Sequence, residues 1–250
     1  MFDVATVLVV IGTFLIAGAV KGVIGLGLPT VSLALLTVAL DLPTAMALLL
    51  APSFFTNLWQ SVVGGNAKAI LSRLWPFFGM ATVTVWIGVA ALTRLNPSLL
   101  TALLGALLVT YSVVNLSGIT LTIPTRYETW AGPLIGSANG VLTGMTGSFV
   151  VPGVMFLQAI GLSREVLIQA MGMLFTASTL ALAAALQRAN FLTVQHSVLS
   201  AAAVIPAIVG MIAGQRIRQS LSEERFRTVF FGAILVLGAY IIANALRIFR

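Results

Sequence analysis

Long uncharged hydrophobic runs follow one another along this chain, separated by short clusters of charge, proline, glycine and asparagine. Each run approaches or exceeds the ~20 residues that a helix needs to cross a bilayer. Dividing the chain at its charges and turn residues predicts eight segments. Segment one covers about 4–40, and Asp41-Leu42-Pro43 opens segment two, about 42–63, which closes at Gly64-Gly65-Asn66. Segment three, about 69–93, ends near Arg94, and Asn96-Pro97 starts segment four, about 97–117. A loop around Pro124, Arg126 and Glu128 leads to segment five, about 130–160. Segments six, seven and eight cover about 164–187, 191–214 and 224–246. The expectation is an all-α polytopic membrane protein forming one transport-type domain over 1–250.

Two segments are interrupted. Segment one carries KGVIGLGLP, Lys21 to Pro29, and segment five carries NGVLTGMTGSFVVP, Asn139 to Pro152. Glycine and proline are poor in helix interiors. Inside a bilayer, irregular backbone persists only where protein or a water-filled cavity covers it. Paired breaks in corresponding places of two halves mark a transporter binding site. The two breaks are therefore expected to meet near the bilayer midplane and line one cavity.

The halves, about 4–117 and 130–248, read as a duplication. Gly22 aligns with Gly140 at an offset of 118, and Gly27 with Gly147 at 120. At 120, Leu42, Phe55 and Thr56 also meet Leu162, Phe175 and Thr176. At 127, Thr101, Gly105, Ala106, Leu108 and Val109 meet Thr228, Gly232, Ala233, Leu235 and Val236. If each broken segment crosses once, the loop cations divide evenly between the two sides. If each is a hairpin or crosses twice, Lys68, Arg73, Arg126, Arg164, Arg216, Arg218, Arg225 and Arg227 share one side. Arg94, Arg188, Arg247 and Arg250 then share the other. The positive-inside rule favours this second arrangement, with inverted repeats and both termini outside.

Composition agrees with a membrane protein: 59% of residues are hydrophobic and only 8% charged. The net charge of +7 is spread over inter-helix loops, so it is no nucleic-acid signal. The absence of cysteine excludes disulfides and thiolate metal sites. The N-terminus lacks a charged n-region and reads as the first membrane helix. One histidine, His196, and no acid well inside any segment leave little inventory for an enzyme, a metal site or a carboxylate proton relay. No cofactor is expected; the expected surroundings are membrane lipid, with a homodimer compatible with the sequence.

Candidate binding residues cluster at the breaks. Lys21 is the one cation with no obvious loop, and it attracts an anion or snorkels to the headgroups. Gly22, Gly25 and Gly27, with Gly140, Gly144 and Gly147, offer either backbone N–H groups to an anion or close helix packing. Asn139, Thr143, Thr146 and Ser148 lie in the second break. Thr30 and Ser32 follow the first. Asn57 and Gln60 share a face of segment two, and Gln169 and Thr176 lie in segment six. All can donate to an oxyanion or bond helix to helix. His196 is expected at an interface, as are Trp59, Trp75, Trp86 and Trp130.

The runs AGAVKGVIGLGLPTVSLALL, LLLAPSFFTNLWQ and SRLWPFFG resemble the sulfite exporter TauE/SafE family of membrane transporters. GSANGVLTGMTGSFVVPGVMFLQAIGLS resembles that family's second glycine-rich motif. The resemblance covers essentially the whole chain. It implies transport of a small anion, often a sulfur oxyanion or organosulfonate, across a prokaryotic inner membrane. An anion channel of the same fold and a carboxylate transporter are the alternatives.

Overall fold

A computed structural model describes residues 3–119, 121–218 and 222–248. Thirteen helices occur among them. The first half holds α1 (Val4–Ile24), α2 (Leu28–Ala39), α3 (Leu42–Leu48), α4 (Leu50–Val62), α5 (Ala67–Val83), α6 (Val85–Leu92) and α7 (Pro97–Leu116). The second holds α8 (Thr125–Thr146), α9 (Gly153–Ala159), α10 (Arg164–Arg188), α11 (Val194–Ala202), α12 (Val204–Ile217) and α13 (Glu223–Ile248). Six apolar stretches are long enough to cross a membrane: α1, α5 with α6, α7, α10, α11 with α12, and α13. The pair α3–α4, bent by 44°, is a seventh. α8 has the length, at 22 residues, but is less apolar, with Asn139, Thr143 and Thr146 buried on it.

The scarce polar residues outside the spans start helices. Asp3 accepts from Thr6 N–H at 3.2 Å, Asp41 from Thr44 N–H at 2.9 Å, and Asn96 from Ser98 N–H at 2.9 Å. These side chains satisfy N–H groups that a helix start leaves open. Asp3 and Asp41 are thus engaged at helix starts. Thr193 caps α11 in the same way, and His196 stands in that first turn with its Nδ1 3.1 Å from the Phe191 carbonyl. The four tryptophans point outward, as expected of residues facing lipid or the interface.

Several boundaries differ from the sequence reading. Arg126 and Glu128 are not in a loop: α8 begins at Thr125, and Glu128 sits in its first turn, where an acid favours the helix dipole. α12 carries segment seven on to Ile217. Arg250 lies outside the described residues. The breaks are also narrower. α1 continues through Lys21 and Gly22 to Ile24, and α8 through Asn139, Gly140, Thr143, Gly144 and Thr146. The irregular backbone is confined to Gly25–Gly27 and to Gly147–Pro152.

Small residues set the helix pairing. A Cβ on Gly18 or Gly22 would strike the α12 backbone at Ala207, Met211 or Gly214, and Gly210 and Gly214 return the contact at Leu15 and Ala19. Gly136, Gly140 and Gly144 press likewise on Phe77, Ala81, Val85 and Gly88 of α5 and α6. Such backbone-to-backbone approach is how membrane helices gain dispersion energy without a hydrophobic driving force. In both pairs residue numbers rise together, so the helices run parallel.

Two further pairs run antiparallel. Gln60 and Ser61, late in α4, meet Ile168 to Gly172, early in α10. Leu50 and Phe54, early in α4, share a groove with Thr179 and Ala183, late in α10. In α7 and α13, Gly105 meets Gly238 and Ile242, while Tyr111 meets Phe231.

Connections between elements also gather at one end. Asn66 N–H donates to Gln169 at 2.9 Å, Arg73 pairs with Glu128 at 2.6 Å, and Ile123 N–H reaches the Ala159 carbonyl at 2.8 Å. This end therefore joins the end of α4 and the starts of α5, α8 and α10.

Candidate functional site

Lys21 occupies the last turn of α1 and is 5% exposed. Its carbonyl accepts the N–H of Gly25 at 2.8 Å, and Gly25 closes the helix in a left-handed conformation, φ 79°. That conformation suits glycine, and it fixes Lys21 one turn before the break. The ammonium donates to Asn57 Oδ1 and, at 3.3 Å, to Thr56 Oγ1. No carboxylate pairs with it among the described residues. The negative end of the α1 dipole offsets about 0.3–1 kcal/mol of its burial. A cation at membrane depth costs about 2.5–3.5 kcal/mol on insertion scales. The dipole alone therefore does not balance the charge, and a positive surplus remains around Lys21.

The partners are presented by one face of α4. Ser53, Thr56 and Asn57, at helical spacing, are all buried. Thr56 returns its own proton to the Pro52 carbonyl at 2.8 Å, so its oxygen is free to accept from lysine. Asn57 is wholly buried, and its Nδ2 has no partner. Lysine only donates, so the oxygen of Asn57 must face it and the amide nitrogen must point elsewhere.

The second half repeats this surplus of donors. Asn139 is wholly buried, its Oδ1 accepts Gly153 N–H at 2.9 Å, and its Nδ2 has no partner. The backbone donor fixes the amide orientation here too. Both unpartnered nitrogens are donors, and each would cost about 1–3 kcal/mol unless an acceptor reaches it. Ser53, Ser178 and Thr179 add buried hydroxyls without partners along α4 and α10.

Other candidates are structural. Gln60 Nε2 donates to the Ile168 carbonyl at 2.7 Å. Gln169 donates to Ser61 at 2.9 Å while accepting from Asn66. These glutamines bond α4 to α10. Thr146 donates to the Leu142 carbonyl at 2.7 Å and Thr143 to the Ser148 carbonyl at 2.9 Å. Ser148 N–H is taken by Thr146 Oγ1 at 3.2 Å. Thr143, Thr146 and Ser148 thus close the second break on itself. Ser32 and Thr176 return their hydroxyls to their own helices at 2.8 and 2.7 Å.

The glycines do not present a row of free N–H groups. Gly22, Gly140 and Gly144 are inside helices and serve close packing. The N–H groups of Gly25 and Gly147 go to the Lys21 and Thr143 carbonyls at 2.8 and 2.7 Å. The two breaks also have different neighbours. Gly25 and Gly27 face Ile168 and Phe230, whereas Gly147 faces Leu33 and Met46. None of the cavities described below carries both. The caps set a different register from the sequence alignment: Gly25 corresponds to Gly147, each the left-handed end of its helix. Counting back from them, the counterpart of Lys21 is Thr143, and Asn139 falls one turn earlier.

The sequence reading missed Ser53, Ser178 and Thr179 as site residues and mentioned Thr56 only as a repeat match. The spacing of Ser53, Thr56, Asn57 and Gln60 along one helix face was the available signal. It was hidden among strongly apolar neighbours.

The fold and this inventory define a polytopic helical membrane protein with a buried, donor-rich interior. The family model described as Sulfite exporter TauE/SafE matches residues 10–241. The chain belongs to that family, one of membrane transporters. No curated protein and no solved structure matches it.

Proposed function

We propose that the chain is a secondary transporter of a small oxyanion, a sulfur oxyanion or organosulfonate, in a prokaryotic inner membrane. The observation that carries this reading is Lys21, buried with no carboxylate partner among the described residues and held by Asn57 and Thr56, with the Asn57 amide nitrogen lacking an acceptor. An oxyanion supplies the acceptor missing at Asn57 and the missing negative charge together. A cation or a neutral apolar solute supplies neither.

Alternating access follows from inverted repeats. The support is directional. α4 and α10 hold equivalent places in the two halves and run antiparallel, as do α7 and α13. A two-fold axis along the membrane normal would make such pairs parallel. An axis in the membrane plane makes them antiparallel. The end rich in Lys68, Arg73, Arg126, Arg164 and Arg227 then faces the cytoplasm. A site closed on all sides fits a transporter better than an open channel. Lys21 is 5% exposed and Asn57 and Asn139 are 0% exposed.

The test is radiolabelled sulfite counterflow in proteoliposomes, with thiosulfate, taurine and acetate as competitors. Saturable counterflow inhibited by the sulfur anions supports the reading. Flux without counterflow indicates a channel, and inhibition by acetate alone indicates a carboxylate carrier.

A further inference from the structure

At the arginine-rich end, a cavity of ≈ 300 Å³ opens beside the first break. Ile24 and Leu26 form its inner wall, Tyr111 and Asn115 of α7 one flank, and Gln158, Arg164 and Arg227 the remainder of its polar lining. Two adjoining cavities, of ≈ 210 and ≈ 510 Å³, share Asn115 and Arg227 with it, and Glu224 lines the larger. Among the described residues, no carboxylate lines the cavity beside the break.

Three features make this more than a basic surface. Tyr111 is among the residues lining the cavity, is 0% exposed, and its buried hydroxyl has no partner. Phe231 packs edge-on against the Tyr111 ring at 5.3 Å. Asn115 donates to the Tyr111 backbone carbonyl at 2.8 Å, which holds its amide one turn after Tyr111 on α7. The arginines also stand where helix physics disfavours them. Arg164 is the first residue of α10 and Arg227 lies near the start of α13, at the positive ends of two helix dipoles. Cations there are unfavourable, and an anion between them is favourable.

The geometry points to an antechamber that binds one small oxyanion between Arg227, Arg164 and the Tyr111 hydroxyl. Its ligand class rests on the transport reading above. Ile24, in its wall, is one helical turn from Lys21, so the antechamber lies on the route to the buried site. The exposed guanidinium groups draw anions from solution, and clefts lined by one sign of charge raise local concentration. Tyr111 and the amides then select oxyanions over halides by donating to separate oxygens.

The test is calorimetric titration of sulfite into purified, detergent-solubilised protein. The Lys21→Met protein is expected to keep one sulfite site. Adding Tyr111→Phe or Arg227→Gln to it should weaken that site at least tenfold, with Arg227→Lys intermediate, since the charge stays and the fork is lost. A Lys21→Met protein that binds no sulfite overturns the proposal. So does binding that neither added substitution changes by more than twofold. Melting temperature identifies any variant that fails to fold, and Tyr111→Phe, which removes one oxygen, then decides. Flux is read separately on the unmodified chain. Sulfite binding without flux would sink the transport reading and leave the antechamber; flux without the Lys21-independent site would do the reverse.

Discussion

At the residue scale, the interior is organised around a cation that has no counter-ion among the described residues. Replacing a buried charge by an apolar group of similar size is commonly neutral or stabilising, because the desolvation cost disappears. Lys21→Met is therefore expected to melt no lower than the unmodified protein while sulfite transport falls at least a hundredfold. A melting temperature lowered together with flux would instead mark Lys21 as a packing residue. Asn57→Asp separates charge from shape. It supplies the missing carboxylate to Lys21, Nζ and Oδ being already in contact. We expect sulfite affinity at the Lys21 site to fall at least tenfold with the fold and the antechamber site intact. Unchanged binding would show that the positive surplus plays no part. The lysine was legible in the sequence because a charge beside a glycine-rich break in an apolar run stands out. Its partners were less so. Asn57 was noted, but Thr56 and Ser53 are ordinary in membrane helices until the fold turns them inward.

At the element scale, glycine does two jobs that sequence cannot separate. At Gly25 and Gly147 it ends a helix in the left-handed region, at φ 79° and 74°. At Gly22, Gly140 and Gly144 it lets another backbone approach. Spacing alone put all five into the two broken stretches. Only the neighbouring helices, α12 for Gly22 and α5–α6 for Gly140 and Gly144, sort them. The two classes should respond differently. Gly25→Ala or Gly147→Ala places a Cβ in a disfavoured conformation, at a cost of about 1–2 kcal/mol. Gly25 has only the tip of Ile168 nearby, so Gly25→Ala should lower the melting temperature modestly and leave a folded protein. Gly144→Leu must part α8 from Val85 and Gly88, and we expect it to abolish folded yield in size-exclusion profiles. Equal effects of the two changes would contradict the assignment.

At the scale of the whole molecule, the all-helical membrane outline was readable because hydrophobic length is a strong signal, though six to seven of the eight expected segments are, among the described residues, long and apolar enough to cross. The separate surroundings of the two breaks were not readable, because they depend on which helices pack together. Gly27 against Phe230 and Gly147 against Met46 are contacts between distant parts of the chain. The inverted arrangement is open to direct test, since the chain has no cysteine and single cysteines need no prior removals. Cysteines near Lys68, Arg126 and Arg218 should label only from the cytoplasmic side, and those near Arg94 and Arg188 only from outside. Labelling of positions 126 and 188 from one side would restore parallel repeats. The central claim, that a buried lysine and its amide partner carry a small oxyanion across the membrane, is tested most directly by sulfite counterflow in proteoliposomes, comparing the unmodified chain with Lys21→Met. Saturable counterflow by the unmodified chain, lost in a Lys21→Met protein of undiminished melting temperature, is the predicted result. Equal counterflow by both would contradict it.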